Sequence, residues 1–178
     1  MQKLEIYLIL NNIRSAYNVG SIFRTADGAG VKKIYLCGIT PTPGGPQYQV
    51  SSSKYQAGDK ISKTALGAEK IVPWEYHAQA WRLLSKLKNK NEKLKIIALE
   101  RFDKLTASKL KVKNLFKYKL SSLVPSPLAL MVGNEVRGLS PKILEYVDDI
   151  IEIPMYGKKE SLNVAVATGI AVYTLIRN

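Results

Sequence analysis

Three short stretches of this 178-residue chain set amide, carboxylate or guanidinium groups beside glycines, a pairing suited to holding a phosphate or an anionic ligand. The first runs from Asn18 to Asp27 (NVGSIFRTAD). Arg24 is the informative residue, because a guanidinium carries five donors in a fixed fork that matches phosphate. Gly20 and Ser21 would leave room for the backbone of a ligand. Asn18 lies six residues before Arg24, so the two share no helical stripe, but they could meet at a helix end if Asn18 sits in the preceding loop. The spacing also suits an ion pair between Arg24 and Asp27. The second stretch, LALMVGNEVRGLS over residues 128–140, runs an apolar strand into Gly133 and Gly138. It nearly matches a phosphate-binding loop, but Leu139 stands where that loop needs its lysine, which excludes nucleoside-triphosphate hydrolysis. Glu135 reads either as a capping group or as a ligand contact. The third stretch, IEIPMYGKKESLNVAVA over residues 151–167, leads a strand through Pro154 and Gly157 into a helix rich in small residues. Ser161 has the chemistry of an N-cap. Asn163 is a polar group at the start of a helix that is otherwise apolar nearly all round, and it needs partners.

These stretches must be positioned by regular elements. Leu4–Leu10 reads as a strand, Asn18–Gly30 as a helix with Asn18 as a possible N-cap, and Lys33–Cys37 as the next strand, which makes a βαβ unit. Residues 40–60 form a long loop, with eleven of 21 residues Pro, Gly, Ser or Thr. Tyr48 and Tyr55 within it could stack on bases. Ser62–Lys70 and Glu75–Lys90 read as helices, with His77 near the start of the second. Lys95–Leu99, Leu128–Val132 and Ile150–Ile153 read as strands, and Pro141–Val147 and Ser161–Ile176 as helices. The alternation predicts an α/β fold, a mostly parallel sheet flanked by helices. Ligands of such sheets bind at the carboxyl ends of strands, where the second and third stretches begin.

Composition narrows the function. Hydrophobic residues make up 46% of the chain, enough for a core, and the net charge of +13 points to a polyanion. The excess is concentrated: residues 82–119 carry +10, residues 1–81 carry +4 and residues 120–178 carry −1. Phosphate neutralisation is the simplest account of that middle segment, and it predicts broad, salt-sensitive capture of nucleic acid. A single cysteine, Cys37, excludes a disulfide framework, and with the single His77 it argues against a metal site. The start MQKLEIYLIL lacks the features of a signal peptide, and the uncharged run of 16 residues from Ser161 to Ile176 is short for a membrane span. The expectation is one cytoplasmic domain over residues 1–178, with no membrane, no metal and no separate RNA-binding domain.

Taken in order, the three motifs resemble the SpoU/TrmH family of RNA ribose methyltransferases, within the SPOUT superfamily, over roughly residues 5–176. The resemblance implies a sheet whose C-terminal segment is threaded into a trefoil knot, a homodimer, and S-adenosylmethionine held in the knot. It places the donor against Leu130, Met131, Val132, Gly133 and Asn134, against Ile151, Ile153, Pro154 and Met155, and against Ser161, Leu162 and Asn163, held largely by their backbone. It assigns the catalytic group to Arg24, Asn18, Glu135, Asn163 and Ser161, with Arg24 reaching the donor bound by the partner subunit. The implied reaction is methyl transfer to a ribose 2′-hydroxyl of tRNA or rRNA. Arg24 would clamp phosphate and stabilise the developing alkoxide, or else take the proton itself, although its pKa above about 12 makes it a weak base. Two other readings remain on the sequence: a base methyltransferase of the same superfamily, and a non-catalytic RNA-binding or ribosome-assembly protein.

Overall fold

A computed structural model of the chain describes residues 4–44, 57–101, 111–120, 127–134 and 138–177. Seven parallel strands form one sheet. They are β1 (Ile6–Asn11), β2 (Lys33–Cys37), β3 (Trp74–His77), β4 (Lys95–Leu99), β5 (Val112–Asn114), β6 (Leu128–Val132) and β7 (Asp149–Glu152), in the order β3-β2-β1-β6-β4-β7-β5. The helices are α1 (Ala16–Ala29), α2 (Ala57–Ala65), α3 (Ala68–Ile71), α4 (Ala80–Lys90), α5 (Pro141–Leu144) and α6 (Val164–Arg177).

The centre of the sheet explains its uniformly apolar strands. All five residues of β6 are buried, and the strand is bonded on both edges, to β1 (Ile9 opposite Met131) and to β4 (Ala98 opposite Met131). Such strands need helices on both faces. One face, with Leu8, Leu10, Leu128 and Leu130, packs under α1, α2 and α6; the other, with Ile9, Ala129 and Met131, packs under α4 and α5.

The α/β class with a parallel sheet matches the sequence reading; several boundaries do not. Glu75–Lys90 is not one helix. Trp74–His77 pairs with Ile34–Cys37 as β3, and the helix begins only at Ala80. Helical periodicity hid an edge strand of four residues, with His77 Nε2 lying 2.9 Å from Glu75 Oε1. Ser62–Lys70 is likewise two helices, parted by positive φ at Leu66 and Gly67. The weakly periodic middle segment contains β5, which supplies the far edge. The tyrosines Tyr48 and Tyr55 of the long loop lie outside the described residues.

The charge of the middle segment also divides. Lys95 and Lys113 converge on Asp149 at the edge of the sheet, and Lys88 holds Asp148 at 2.6 Å. Burial pushes the Asp149 carboxyl up, but hydrogen bonds from Lys113, Lys95 and the buried Tyr118 outweigh it and bring it down to about 2. Lys95 and Lys113 tie β4 and β5 to β7, and Lys88 ties α4 to the residue before β7. Lys86, Lys90, Lys93, Lys111, Lys117 and Lys119 are exposed and outside these ion pairs. Among the described residues no helix is long and apolar enough to cross a membrane.

Gly20 is not a gap for a ligand. A Cβ there would lie 2.1 Å from Thr64 Oγ1 and 2.3 Å from the Ile61 carbonyl oxygen, so α2 fills the space. Gly20→Ala is therefore expected to destabilise the fold by about 2 kcal/mol or more. The midpoint of urea denaturation measures this, and an unchanged midpoint contradicts the packing described.

Candidate active site

The carboxyl ends of β4, β6 and β7 and the start of α6 border an open cleft of about 670 Å³, counted out into the solvent at its mouth. Leu99, Val132, Ile153, Met155 and Leu162 give it apolar walls, and Glu100, Asn134 and Ser161 give it polar groups. The loop leaving β6 is pinned beneath its neighbours. The Asn134 side chain donates to the Asn12 carbonyl at 3.0 Å, and Gly138 adopts a left-handed φ of 62° that favours glycine. Gly133 has no room for a side chain, since a Cβ would meet Leu139 Cδ2 at 2.9 Å. Leu139, which stands where a phosphate-binding lysine would be, is buried in the core.

Local capping chemistry brings two of the expected site residues together. Ser15, not Asn18, caps α1: its backbone is extended and its Oγ accepts from the Asn18 N–H at 3.3 Å. That leaves the Asn18 side chain in the first helical turn. Helix α6 opens at Val164, and its cap is Asn163, not Ser161. Asn163 Oδ1 accepts from the N–H groups of Ala165 (2.9 Å) and Val166 (3.4 Å). With its oxygen so fixed, its Nδ2 donates to Asn18 Oδ1 at 3.1 Å. The residues facing one another further along α1 and α6, Thr25 with Gly169 and Gly28 with Tyr173, keep nearly the same offset, so the two helices run parallel from neighbouring N-termini.

Arg24 lies elsewhere. It is exposed, does not line the cleft, and forms no ion pair with Asp27 among the described residues. The apolar face of α1, with Val19, Ile22, Phe23 and Ala26, is turned inward, and Arg24 points away from it, on the side of Tyr17. Of the positions expected to hold a donor, Val132, Gly133, Asn134, Ile153, Met155, Ser161 and Leu162 line the cleft. Leu130, Met131 and Ile151 are fully buried in β6 and β7, so their side chains belong to the core. Pro154 and Asn163 flank the lining residues. Glu135 and Arg137 lie outside the described residues.

The sequence reading passed over Glu100. It follows directly on β4, its N–H donates to the Ile151 carbonyl at 3.1 Å, and its side chain lines the cleft. Its carboxyl accepts from the backbone N–H groups of Leu139 and Arg101. The signal was present as an acidic residue closing the apolar run KIIAL, where a parallel sheet places its ligands.

Comparison with known proteins agrees with this architecture. The model of the SpoU rRNA Methylase family matches residues 5–173. The chain belongs to that family. It is 30% identical over 169 residues to the tRNA (guanosine(18)-2′-O)-methyltransferase of Aquifex aeolicus, covering 95% of this chain and 67% of that protein. It is 30% identical over 175 residues to a 23S rRNA (guanosine-2′-O-)-methyltransferase of Pectobacterium atrosepticum, covering 98% of this chain and 61% of that one. An AdoMet-bound rRNA methyltransferase from Sinorhizobium meliloti shares the fold, with a TM-score of 0.74 at 23% identity over 99% of this chain and 57% of its own. The chain thus spans about three fifths of the latter two proteins.

Burial pushes the Glu100 carboxyl up to about 7, against the lowering effect of the Leu139 and Arg101 N–H groups. Its ordinary value is 4.5, so between that pH and about 7 the folded chain keeps a proton that the unfolded chain releases. Stability therefore falls as pH rises through this window. Urea midpoints measured from pH 5 to 8 are expected to decline more steeply for the wild type than for Glu100→Gln; equal slopes contradict the assignment.

Proposed function

We propose that the chain transfers the methyl group of S-adenosylmethionine to a ribose 2′-hydroxyl of tRNA or rRNA, in the cytoplasm, as a homodimer. The observation that carries this reading is the cleft at the carboxyl ends of β4, β6 and β7 and the start of α6, in a chain of the SpoU family. Apolar walls suit an adenine, and Glu100 and the backbone at the strand ends supply polar contacts, so the residues present fit this donor. The trefoil knot of the family belongs to the same reading, with the segment from β7 to α6 as the threaded part.

When bound, the donor supplies an electrophilic methyl on a sulfonium. The work left to the protein is to align a poor nucleophile with it and to tolerate the charge that develops as the 2′-hydroxyl loses its proton. Arg24 is the group for the second task. Its guanidinium binds the target phosphate and stabilises the forming alkoxide, and its exposure leaves it available to RNA and to a second subunit. Asn18 and Asn163, hydrogen-bonded to each other, fix the neighbouring helix ends, and Ser161 helps shape the pocket. The exposed lysines of residues 82–119 add non-specific attraction for the RNA backbone.

The homodimer rests on the outward faces of α1 and α6. Tyr17, Val166 and Tyr173 are each about half exposed, and Arg24 lies on the same side of α1 as Tyr17. A second copy seated there would cover apolar surface and bring Arg24 toward a neighbouring cleft.

Two outcomes are expected. Incubated with S-adenosylmethionine and total RNA, the protein yields 2′-O-methylated nucleosides on digestion, and Arg24→Ala loses at least about a hundred-fold in rate; a methylated base, or a variant at wild-type rate, overturns the corresponding assignment. In sedimentation velocity the wild type runs as a dimer, and Val166→Asp with Tyr173→Asp runs as a monomer; a wild-type monomer overturns the interface.

A further inference from the structure

Glu100 is an acidic side chain set among the apolar walls of the cleft, and neither the clamp on phosphate nor the alignment of the nucleophile uses it. Its surroundings are built closely around it. A Cβ at Gly138 would lie 3.0 Å from Glu100 Oε2, and a Cβ at Gly133 would lie 3.1 Å from the same oxygen. Both glycines leave the space that the carboxyl occupies. The backbone N–H groups of Leu139 and Arg101 donate to that carboxyl from the protein side. A carboxylate accepts about four hydrogen bonds, so two acceptor positions remain for the cleft. The carboxyl is therefore part of the cleft floor, anchored to the loop after β6, and not a mobile group at the rim.

The chemistry of the other lining residues decides what it would accept. A ligand end bearing both an ammonium and a carboxylate needs a cation beside the acid. Among the described lining residues the one cation is Arg101, and its guanidinium is turned to the backbone carbonyl of Glu160, with the Glu160 carboxylate 3.9 Å away. An uncharged pair of hydroxyls needs only acceptors, and one carboxyl can accept from two neighbouring hydroxyls. The same solution serves dinucleotide-binding sheets, where an acidic residue takes the ribose hydroxyls.

We propose that Glu100 recognises the donor through the vicinal diol of its adenosyl ribose, accepting hydrogen bonds from the 2′- and 3′-hydroxyls. This rests on the reading of the cleft as a donor site. Glu100 is then a specificity-determining residue: it favours ligands with a complete ribose and disfavours an acidic group at that position. Removal of the carboxyl should weaken binding without altering the fold, because the loop after β6 keeps its tie from Asn134 to Asn12.

The test is calorimetric and needs no RNA. S-adenosylhomocysteine and its 2′-deoxy and 3′-deoxy analogues are titrated into the wild type, Glu100→Gln and Glu100→Ala, with circular dichroism to check the fold of each. The wild type is expected to bind S-adenosylhomocysteine about ten-fold or more tightly than either deoxy analogue. Glu100→Ala should bind all three about equally, each about as weakly as the wild type binds the deoxy analogues. Glu100→Gln, which keeps one acceptor oxygen, should fall between. Wild-type protein that binds none of the three overturns the donor site itself. Wild-type protein that binds all three alike, or Glu100→Ala that still discriminates among them, overturns the role of Glu100 and leaves the donor site standing. Glu100→Gln that binds as the wild type does but transfers methyl groups slowly also overturns it, since the carboxyl would then act on the reacting hydroxyl.

Discussion

Strand β6 has to be hydrogen-bonded on both edges and covered on both faces, and much of the architecture follows from that requirement. Its five residues, LALMV, carry no side-chain polar group and are all buried. They come after β1 and β4 in the chain, and they fill the place between those two strands. The backbone N–H and C=O groups of β6 would be orphaned anywhere else. Parallel pairing then sends the chain out of the sheet at the carboxyl end of β6, with the ends of β4 and β7 close by. The cleft is a consequence of how a fully apolar strand is satisfied.

The helix pair α1 and α6 shows how local capping becomes site geometry. Ser15 and Asn163 each satisfy N–H groups that a helix start leaves open. Capping consumes the Asn163 oxygen, so its amide nitrogen is the end left to reach Asn18. One side chain thereby caps the start of a helix and joins two segments separated by 145 residues. The outward faces of the same helices carry Arg24 and the half-exposed Tyr17, Val166 and Tyr173, so a guanidinium and a patch of apolar surface lie together.

Two carboxylates mark the opposite uses of buried charge. Asp149 is surrounded by Lys95, Lys113 and Tyr118, and their hydrogen bonds outweigh the effect of burial. It holds β4, β5 and β7 together, and two lysines of the basic middle segment go to that task. Glu100 is met by backbone N–H groups from Leu139 and Arg101, and there burial prevails. Structural ion pairing explains the first; the second is the pattern expected of a group that awaits a ligand.

Much of this could be read from the residues in order. Alternating apolar runs and amphipathic segments gave a parallel α/β sheet, and the three ordered motifs indicated the family and the ends of β6 and β7 as the site. Other features were hidden for identifiable reasons. β3 and β5 are edge strands of four and three residues, too short to impose a period of two on their neighbours. Asn163 and Ser161 are both good caps by type, and the backbone path alone chose between them. Gly20 is a packing contact for α2, although its sequence setting suited a ligand. Glu100 looked like one more charge in a basic segment until β4 brought it against Gly133 and Gly138. The sequence by itself determined which segments would be buried and what chemistry the chain carries, because burial and side-chain type are local properties. Tertiary structure alone decided which of those side chains meet, because contacts such as Asn18 with Asn163 and Glu100 with the loop after β6 depend on which strands lie side by side in the sheet.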